Sequence, residues 1–210
     1  MINYSYINEV LGRFEGRGIT RGYIPCMRGT YYGGTEPEKG DPVGASGVTI
    51  ATGVDLGQQT KQGLINMGVS AALVGILEPY IGLRKQAALE KLKNAPFALS
   101  REQVEEIDGA VKKTYIDNTV RRFGLDRFVS APKEAQAVAV SLCYQFGTPY
   151  RDASPNLGLA WEAMRSGDYE KAAEYLSDPN GWSKDHQMFV GTEQRPGRRR
   201  QEAALLRGIA

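Results

Sequence analysis

The chain has 210 residues, of which 41% are hydrophobic, and this is enough apolar material for one sizeable folded domain. Its formal net charge of +2 is too small to argue for a nucleic-acid partner, and its two cysteines, Cys26 and Cys143, are too few for a disulfide scaffold. No apolar run is long enough to cross a membrane, and the first residues lack the basic start and apolar stretch of a signal peptide. We therefore expect neither a nucleic-acid partner nor membrane insertion.

The N-terminal half is predicted to form one helix, a small β region and a group of short helices. Apolar residues recur at helical spacing over residues 5–14, at Ile7, Val10, Leu11 and Phe14. Residues 17–59 are rich in glycine, proline, tyrosine and threonine, a composition typical of short strands joined by tight turns. Short helices are then expected at about 60–67, 70–79 and 83–94.

The C-terminal half is predicted to be helical. Ser100 and Gln103 have the spacing of a capping box, which predicts the start of a long helix running to about Phe123. After Pro132 the run AQAVAVSLCYQF is apolar nearly all round, so we expect this helix at the buried centre of the larger lobe. Further helices are expected at about 156–166, 168–177 and 196–207, and the arginines at the C-terminus predict a solvated face on the last of them.

This order of elements predicts an α+β protein with two lobes. We expect a single domain over residues 1–210. Within it, residues 1–99 would form the N-terminal helix and a β lobe with a helical insertion, and residues 100–210 the linking helix and the helical lobe.

One candidate chemistry is a thiol nucleophile formed by Cys143 with His186 as its base. The apolar surroundings of Cys143 in the sequence favour instead a small buried side chain. A single histidine and the lack of a Cys-x-x-Cys pair leave little material for a zinc site, and no glycine-rich phosphate loop is present. We expect no metal ion and no cofactor.

A second candidate chemistry uses carboxylates. Glu15 ends the first predicted helix, and Thr49 and Asp55 lie at the far end of the β region. Enzymes that cleave sugar chains need one protonated carboxylic acid and a second group that attacks the sugar or activates a water. A carboxyl group shielded by Phe14 and nearby tyrosines keeps its proton more readily, and a threonine with an aspartate can hold one water. By spacing alone, an ordinary helix end and an ordinary turn remain the alternative.

Several segments, in the same order along the chain, resemble the phage-type lysozymes, and within that group the pesticin-like muramidase domains. They are RFEGRG, GVTIATGVDLGQ, LSREQVEEIDGAVKK, LDRFVSAPKEAQAVAVSLCYQFG, and GW followed by EQRPGRRRQEAALLRG. The order of the segments carries the resemblance, because no single motif is specific. It implies a lysozyme-like fold, with a small β-containing lobe and a larger helical lobe joined by a long helix.

The resemblance also implies roles for individual residues. Glu15 corresponds to the general acid and Thr49 to the active-site threonine that positions a water. Asp55 would orient or activate that water, or stabilise the positive charge that develops at the anomeric carbon. Gln145 corresponds to a substrate-binding glutamine, and we assign its neighbour Tyr144 to substrate binding with it.

The position of the aspartate departs from the common phage pattern, in which the catalytic aspartate precedes the threonine. Here Asp41 precedes Thr49, whereas Asp55 follows it by six residues, as in the pesticin-like pattern. Six residues of straight strand would separate Thr49 from Asp55 by about 20 Å. If both act on one water, the chain must bend near residues 52–54, and Gly53 is the natural place.

The implied function is that of a muramidase, which hydrolyses the β-1,4 bond between N-acetylmuramic acid and N-acetylglucosamine. Its partner would be the glycan strands of peptidoglycan. We expect the protein to be a monomer. A non-catalytic wall- or receptor-binding module and a Cys143/His186 peptidase acting on peptidoglycan stems are the alternatives. With no signal peptide, we expect synthesis in the bacterial cytoplasm and action on the periplasmic wall after release or delivery by a separate system. An endolysin, an injected effector and a tail lysin all fit this expectation.

Overall fold

The computed structural model describes residues 1–15, 18–37, 39–147 and 154–209. The chain forms two compact units. We call Met1–Phe14 with Tyr115–Ala210 the helical unit, and Glu15–Thr114 the β-containing unit. Helices dominate and the sheet is small and antiparallel, which confirms the predicted α+β class.

The helices closely follow the predicted ones. In chain order they are α1 Tyr4–Glu15, α2 Lys61–Met67, α3 Ala71–Leu77, α4 Lys85–Asn94, α5 Arg101–Phe123, α6 Leu125–Ser130, α7 Lys133–Phe146, α8 Pro155–Ser166, α9 Tyr169–Ser177, α10 Lys184–Gln187 and α11 Arg198–Arg207. The short helices α6 and α10 were not predicted. At the start of α5 the predicted capping box is present: the Ser100 amide donates to Gln103 Oε1 at 2.9 Å, and the Gln103 amide donates to Ser100 Oγ at 3.2 Å.

The sheet lies wholly in the β-containing unit. Its strands are β1 Ile19–Cys26, β2 Gly29–Tyr31, β3 Thr49–Ala51 and β4 Val54–Asp55, in the order β2-β1-β3-β4. All three pairings between neighbouring strands are antiparallel. A tight turn at Thr52 and Gly53 joins β3 to β4, and Gly53 adopts φ +93°, a conformation that side chains with a Cβ rarely allow.

The core of the helical unit is built around α7. Every residue from 135 to 143 is buried, which confirms the prediction of a helix that is apolar nearly all round and lies at the centre. Ile7, Val10 and Leu11 of α1 belong to the same core. The first helix therefore packs with the helical unit, although the sequence grouped it with the β region, because its apolar stripe is buried against the core around α7.

The prediction of a solvated arginine face on α11 is wrong at its first turn. Arg199 is 0% exposed and pairs with the equally buried Glu202, and Arg198 lies over the ring of Phe14. A guanidinium can be buried when a carboxylate and aromatic faces surround it, and all of these are present here. No helix in the described part of the chain is long and apolar enough to cross a membrane.

We expect Gly53→Ala to lower the free energy of unfolding by about 1–2 kcal/mol, because a Cβ is strained at positive φ. The strain is conformational, since an added Cβ would meet no other described residue within 4 Å beyond its two chain neighbours. Urea denaturation measures this change. Gly75→Ala is the matched control: Gly75 lies in α3 of the same unit with equally open space, and there alanine should stabilise by roughly 0.5–1 kcal/mol. Equal effects of the two substitutions would contradict a strained turn at Gly53.

Candidate active site

Three polar side chains form a row across the sheet of the β-containing unit. Tyr23 of β1 pairs with Thr49 of β3, and Thr49 pairs in turn with Asp55 of β4. Residues directly opposite each other in antiparallel strands point to the same face of the sheet. Tyr23, Thr49 and Asp55 therefore share one face, on three adjacent strands.

The predicted bend between Thr49 and Asp55 is confirmed. The chain reverses at Thr52 and Gly53, so that two residues six positions apart become cross-strand neighbours. Asp41, the alternative acid, lies elsewhere. It is exposed, its carbonyl accepts from the Met27 amide at 2.9 Å, and its charge acts on the Cys26 thiol.

Backbone groups fix the carboxylate of Asp55. Its Oδ1 accepts hydrogen bonds from the amides of Gly47 at 3.1 Å and Gly57 at 2.8 Å. Within the described residues Oδ2 accepts no hydrogen bond. One oxygen of the carboxylate is thus held by the backbone while the other remains available for a water or a substrate.

Only glycine fits at the two positions that hold Asp55. A Cβ on Gly47 would lie 2.6 Å from the Cα of Gly57, and one on Gly57 would lie 3.0 Å from Asp55 Oδ1. The loop before α4 adds support, because Arg84 Nε donates to the Gly57 carbonyl at 2.8 Å. These contacts explain why the sequence around Thr49 and Asp55 is so rich in glycine.

Asp108 of α5 holds the turn that aligns the row. Its Oδ1 accepts from the Thr52 amide at 3.0 Å and from the Thr52 hydroxyl at 2.7 Å, and Lys112 Nζ lies 3.8 Å from its Oδ2. Asp108 is only 9% exposed. Next to the turn, Ala51 has φ +58°, a conformation uncommon for a residue with a Cβ. The hydrogen bonds of Asp108 are made by Thr52, the residue that directly follows Ala51.

Tyr23 interacts electrostatically with Glu15 as well as with the row. Burial raises the pKa of the Tyr23 hydroxyl above its ordinary value, and Tyr32 raises this pKa further. Three carboxylates add smaller increases of the pKa, namely Glu15, Asp55 and Asp108. The Tyr23 hydroxyl therefore interacts electrostatically with Glu15 as well as with Asp55, and it stays protonated at neutral pH.

Tyr23 and Asp108 were not identified from the sequence. A signal for Asp108 was available: it lies on the same stripe of α5 as Val104, Ile107 and Val111, all of which are buried. A carboxylate on a buried apolar stripe needs a specific partner. Tyr23 gave no comparable signal, because its role depends on the register of β1 with β3.

The substrate-binding residues predicted from the resemblance lie in the helical unit, at the end of α7. Gln145 is half-buried, and its Oε1 accepts from Arg199 Nη2 at 2.6 Å. The ring of Tyr144 packs against that of Tyr115, with centroids 4.8 Å apart.

The thiol alternative finds no support at Cys143. The side chain is 0% exposed, and burial raises the pKa of its thiol to about 11. A thiol with this pKa is protonated at neutral pH and is a poor nucleophile. His186 lies against the ring of Phe146, with its Nδ1 2.7 Å from Ser183 Oγ. Both Cys143 and Cys26 are free thiols.

Across the part of the chain that the structure describes, no three His, Cys, Asp or Glu side chains are grouped so as to hold a metal ion.

Cys143→Ser should remain active and fold normally, with a free energy of unfolding lower by about 1–2 kcal/mol, because a hydroxyl is buried less favourably than a thiol. Urea denaturation and hydrolysis of peptidoglycan measure the two properties. Cys26→Ser, at the other buried cysteine, is the matched control. Loss of activity in a Cys143→Ser protein that is folded by circular dichroism would restore the thiol mechanism.

A comparison with protein families gives a match over most of the chain. Residues 7–170, most of the chain, match the family described as pesticin, a bacterial toxin homologue of phage lysozyme, C-terminal part. The matched range contains Glu15, Thr49, Asp55 and Gln145. No curated protein matches the chain. The chain therefore belongs to the pesticin family of phage-lysozyme homologues, which supports a glycoside hydrolase in general.

Proposed function

We propose that this protein is a muramidase that hydrolyses the β-1,4 bond between N-acetylmuramic acid and N-acetylglucosamine in bacterial peptidoglycan. The observation that carries the proposal is the row of Tyr23, Thr49 and Asp55, whose tyrosine is within electrostatic reach of Glu15. Asp55 and Thr49 supply, as neighbours in the row, the second carboxylate and the hydroxyl that glycoside hydrolysis requires, and Glu15 of the same unit supplies the carboxylic acid. The family of the chain supports the same class of substrate.

In the proposed reaction Glu15 is the general acid. It protonates the glycosidic oxygen as the bond to the anomeric carbon breaks, and the leaving sugar departs as an alcohol. Asp55 accepts a hydrogen bond from the attacking water through Oδ2, and its negative charge stabilises the positive charge at the anomeric carbon. The Thr49 hydroxyl, next to Asp55 in the row, positions that water. The water supplies a hydroxyl group to the new reducing end, and Asp55 accepts the proton that the water loses. That proton returns to Glu15 through solvent before the next cycle.

Asp55 is suited to this role because its carboxylate is already oriented before substrate binds. The two amides of Gly47 and Gly57 hold Oδ1, so little reorganisation is needed during the reaction. Thr49 is similarly restricted, being 5% exposed in the middle of the sheet.

Two alternative functions make different predictions. A peptidase would use the Cys143 thiol, which is buried and protonated. A binding module without catalysis would not need Glu15, Thr49 and Asp55 together. Incubation with purified peptidoglycan separates all three: a muramidase releases reducing sugar ends, a peptidase releases amino groups, and a binding module releases neither.

Glu15→Gln should fold normally and lose nearly all hydrolysis, because the amide is nearly the same size but cannot donate the catalytic proton. General acid catalysis is typically worth about 10²–10⁴-fold in rate. Release of reducing ends measures the loss, and circular dichroism controls for the fold. A variant that keeps more than about a tenth of the rate would remove Glu15 from the acid role.

Asp55→Asn and Asp41→Asn form a matched pair that tests which aspartate acts. In Asp55→Asn the amide oxygen can still accept from Gly47 and Gly57, so the fold should persist while hydrolysis falls on the order of 10²-fold or more. Asp41→Asn, on the exposed side chain, should leave the rate within about 2-fold of the original, since surface changes of this kind are energetically small. The reverse result would transfer the role to Asp41.

A further inference from the structure

A fully buried ion pair lies in the helical unit. Arg199 and Glu202 of α11 are both 0% exposed, and Arg199 Nη1 lies 2.8 Å from Glu202 Oε2. The guanidinium also lies over the rings of Phe146 and Trp182, at 5.3 Å and 5.7 Å from their centroids. Its position is therefore fixed from several sides.

Further polar groups fix the carboxylate partner as well. Glu202 Oε1 accepts from the Ser141 hydroxyl at 2.5 Å and from Arg198 Nε at 3.3 Å. Buried ion pairs often add little net stability over apolar residues of the same size. A pair held this tightly is consequently better explained by what its guanidinium orients than by stability alone.

The group that Arg199 orients is the side-chain amide of Gln145. Arg199 Nη2 donates to Gln145 Oε1 at 2.6 Å. A guanidinium has only donors, so the amide oxygen must face it and the amide nitrogen must point away. Within the described residues Gln145 Nε2 donates no hydrogen bond, and the side chain is half-buried. The amide is thus fixed as a hydrogen-bond donor.

We propose that Arg199 is a positioning residue that fixes Gln145 as a donor for an amide carbonyl oxygen of the substrate. This inference rests on the proposed function and on the substrate-binding role of Gln145. In peptidoglycan such a carbonyl belongs either to the acetamido group of a sugar or to the peptide stem. A substrate group that is itself a donor would meet the Gln145 NH₂ group and be disfavoured.

Two variants test the proposal on the intact protein. Arg199→Lys keeps a positive charge for Glu202, but a single ammonium group cannot hold both Glu202 and Gln145 in the same geometry. Gln145→Glu keeps an oxygen for Arg199 and leaves the buried pair intact, but replaces the donor with an acceptor. Each should raise KM roughly 3- to 10-fold with kcat nearly unchanged, as expected for one lost hydrogen bond. Arg207→Lys, the same substitution on an exposed side chain of α11, should leave KM unchanged.

Direct binding makes the test independent of catalysis. In the Glu15→Gln background, the affinity for soluble peptidoglycan fragments is measured by calorimetry for each variant. The affinity loss should persist on fragments without peptide stems if the carbonyl is an acetamido group. It should vanish on those fragments if the carbonyl belongs to the stem. Either result supports the proposal.

The proposal is overturned if Gln145→Glu binds as tightly as the parent, or if Arg199→Lys lowers only the melting temperature and leaves affinity and KM unchanged. If the original protein binds peptidoglycan but releases no reducing ends, the muramidase proposal fails. The binding comparison then still decides the role of Arg199. Absence of any binding overturns both.

Discussion

The chain reversal at Thr52 and Gly53 is the constraint on which the site depends. Thr49 and Asp55 are six residues apart in sequence and become neighbours only because β3 and β4 form a hairpin there. Asp108 holds that turn because its Oδ1 accepts hydrogen bonds from both the amide and the hydroxyl of Thr52. A buried carboxylate on α5 therefore determines, through the turn, how the side chains of Thr49 and Asp55 are aligned in the sheet.

The same hairpin explains the glycines of the β-containing unit. Gly47 and Gly57 approach so closely that a Cβ at either position would collide with the other backbone, and this approach lets both amides reach Asp55. In the helical unit a side chain is oriented by other side chains instead of by backbone amides: Arg199, which is paired with Glu202, donates a hydrogen bond to the amide oxygen of Gln145. In both units the fold orients the polar groups that we propose to contact substrate or water, and preorganisation of this kind favours catalysis and selective recognition.

Periodicity and turn chemistry predicted most of the fold. The apolar repeat predicted nearly all the helices, and the capping box at Ser100 located the start of α5. Those signals are local. The turn at Gly53 was predicted differently: the resemblance gave Thr49 and Asp55 a shared role, and the reach of a straight strand then required a bend between them. Tyr23 was missed because only strand register places it beside Thr49. Arg199 was predicted to face solvent because it belongs to a run of arginines. Its position in the helix indicated the opposite, since it lies on one helical stripe with Glu202, Ala203 and Leu206, all of which are buried. The catalytic roles came from the family resemblance and not from spacing, since an acid at a helix end is common.

We propose that this site cleaves the glycan strand by hydrolysis at N-acetylmuramic acid. The most direct measurement is to digest purified peptidoglycan, reduce the products with borohydride and identify the reduced sugar by mass spectrometry. A muramidase leaves N-acetylmuramic acid at the new reducing end, so we expect its reduced form, N-acetylmuramitol, among the products. Reduced N-acetylglucosamine, or new amino groups without any reduced sugar, would contradict it.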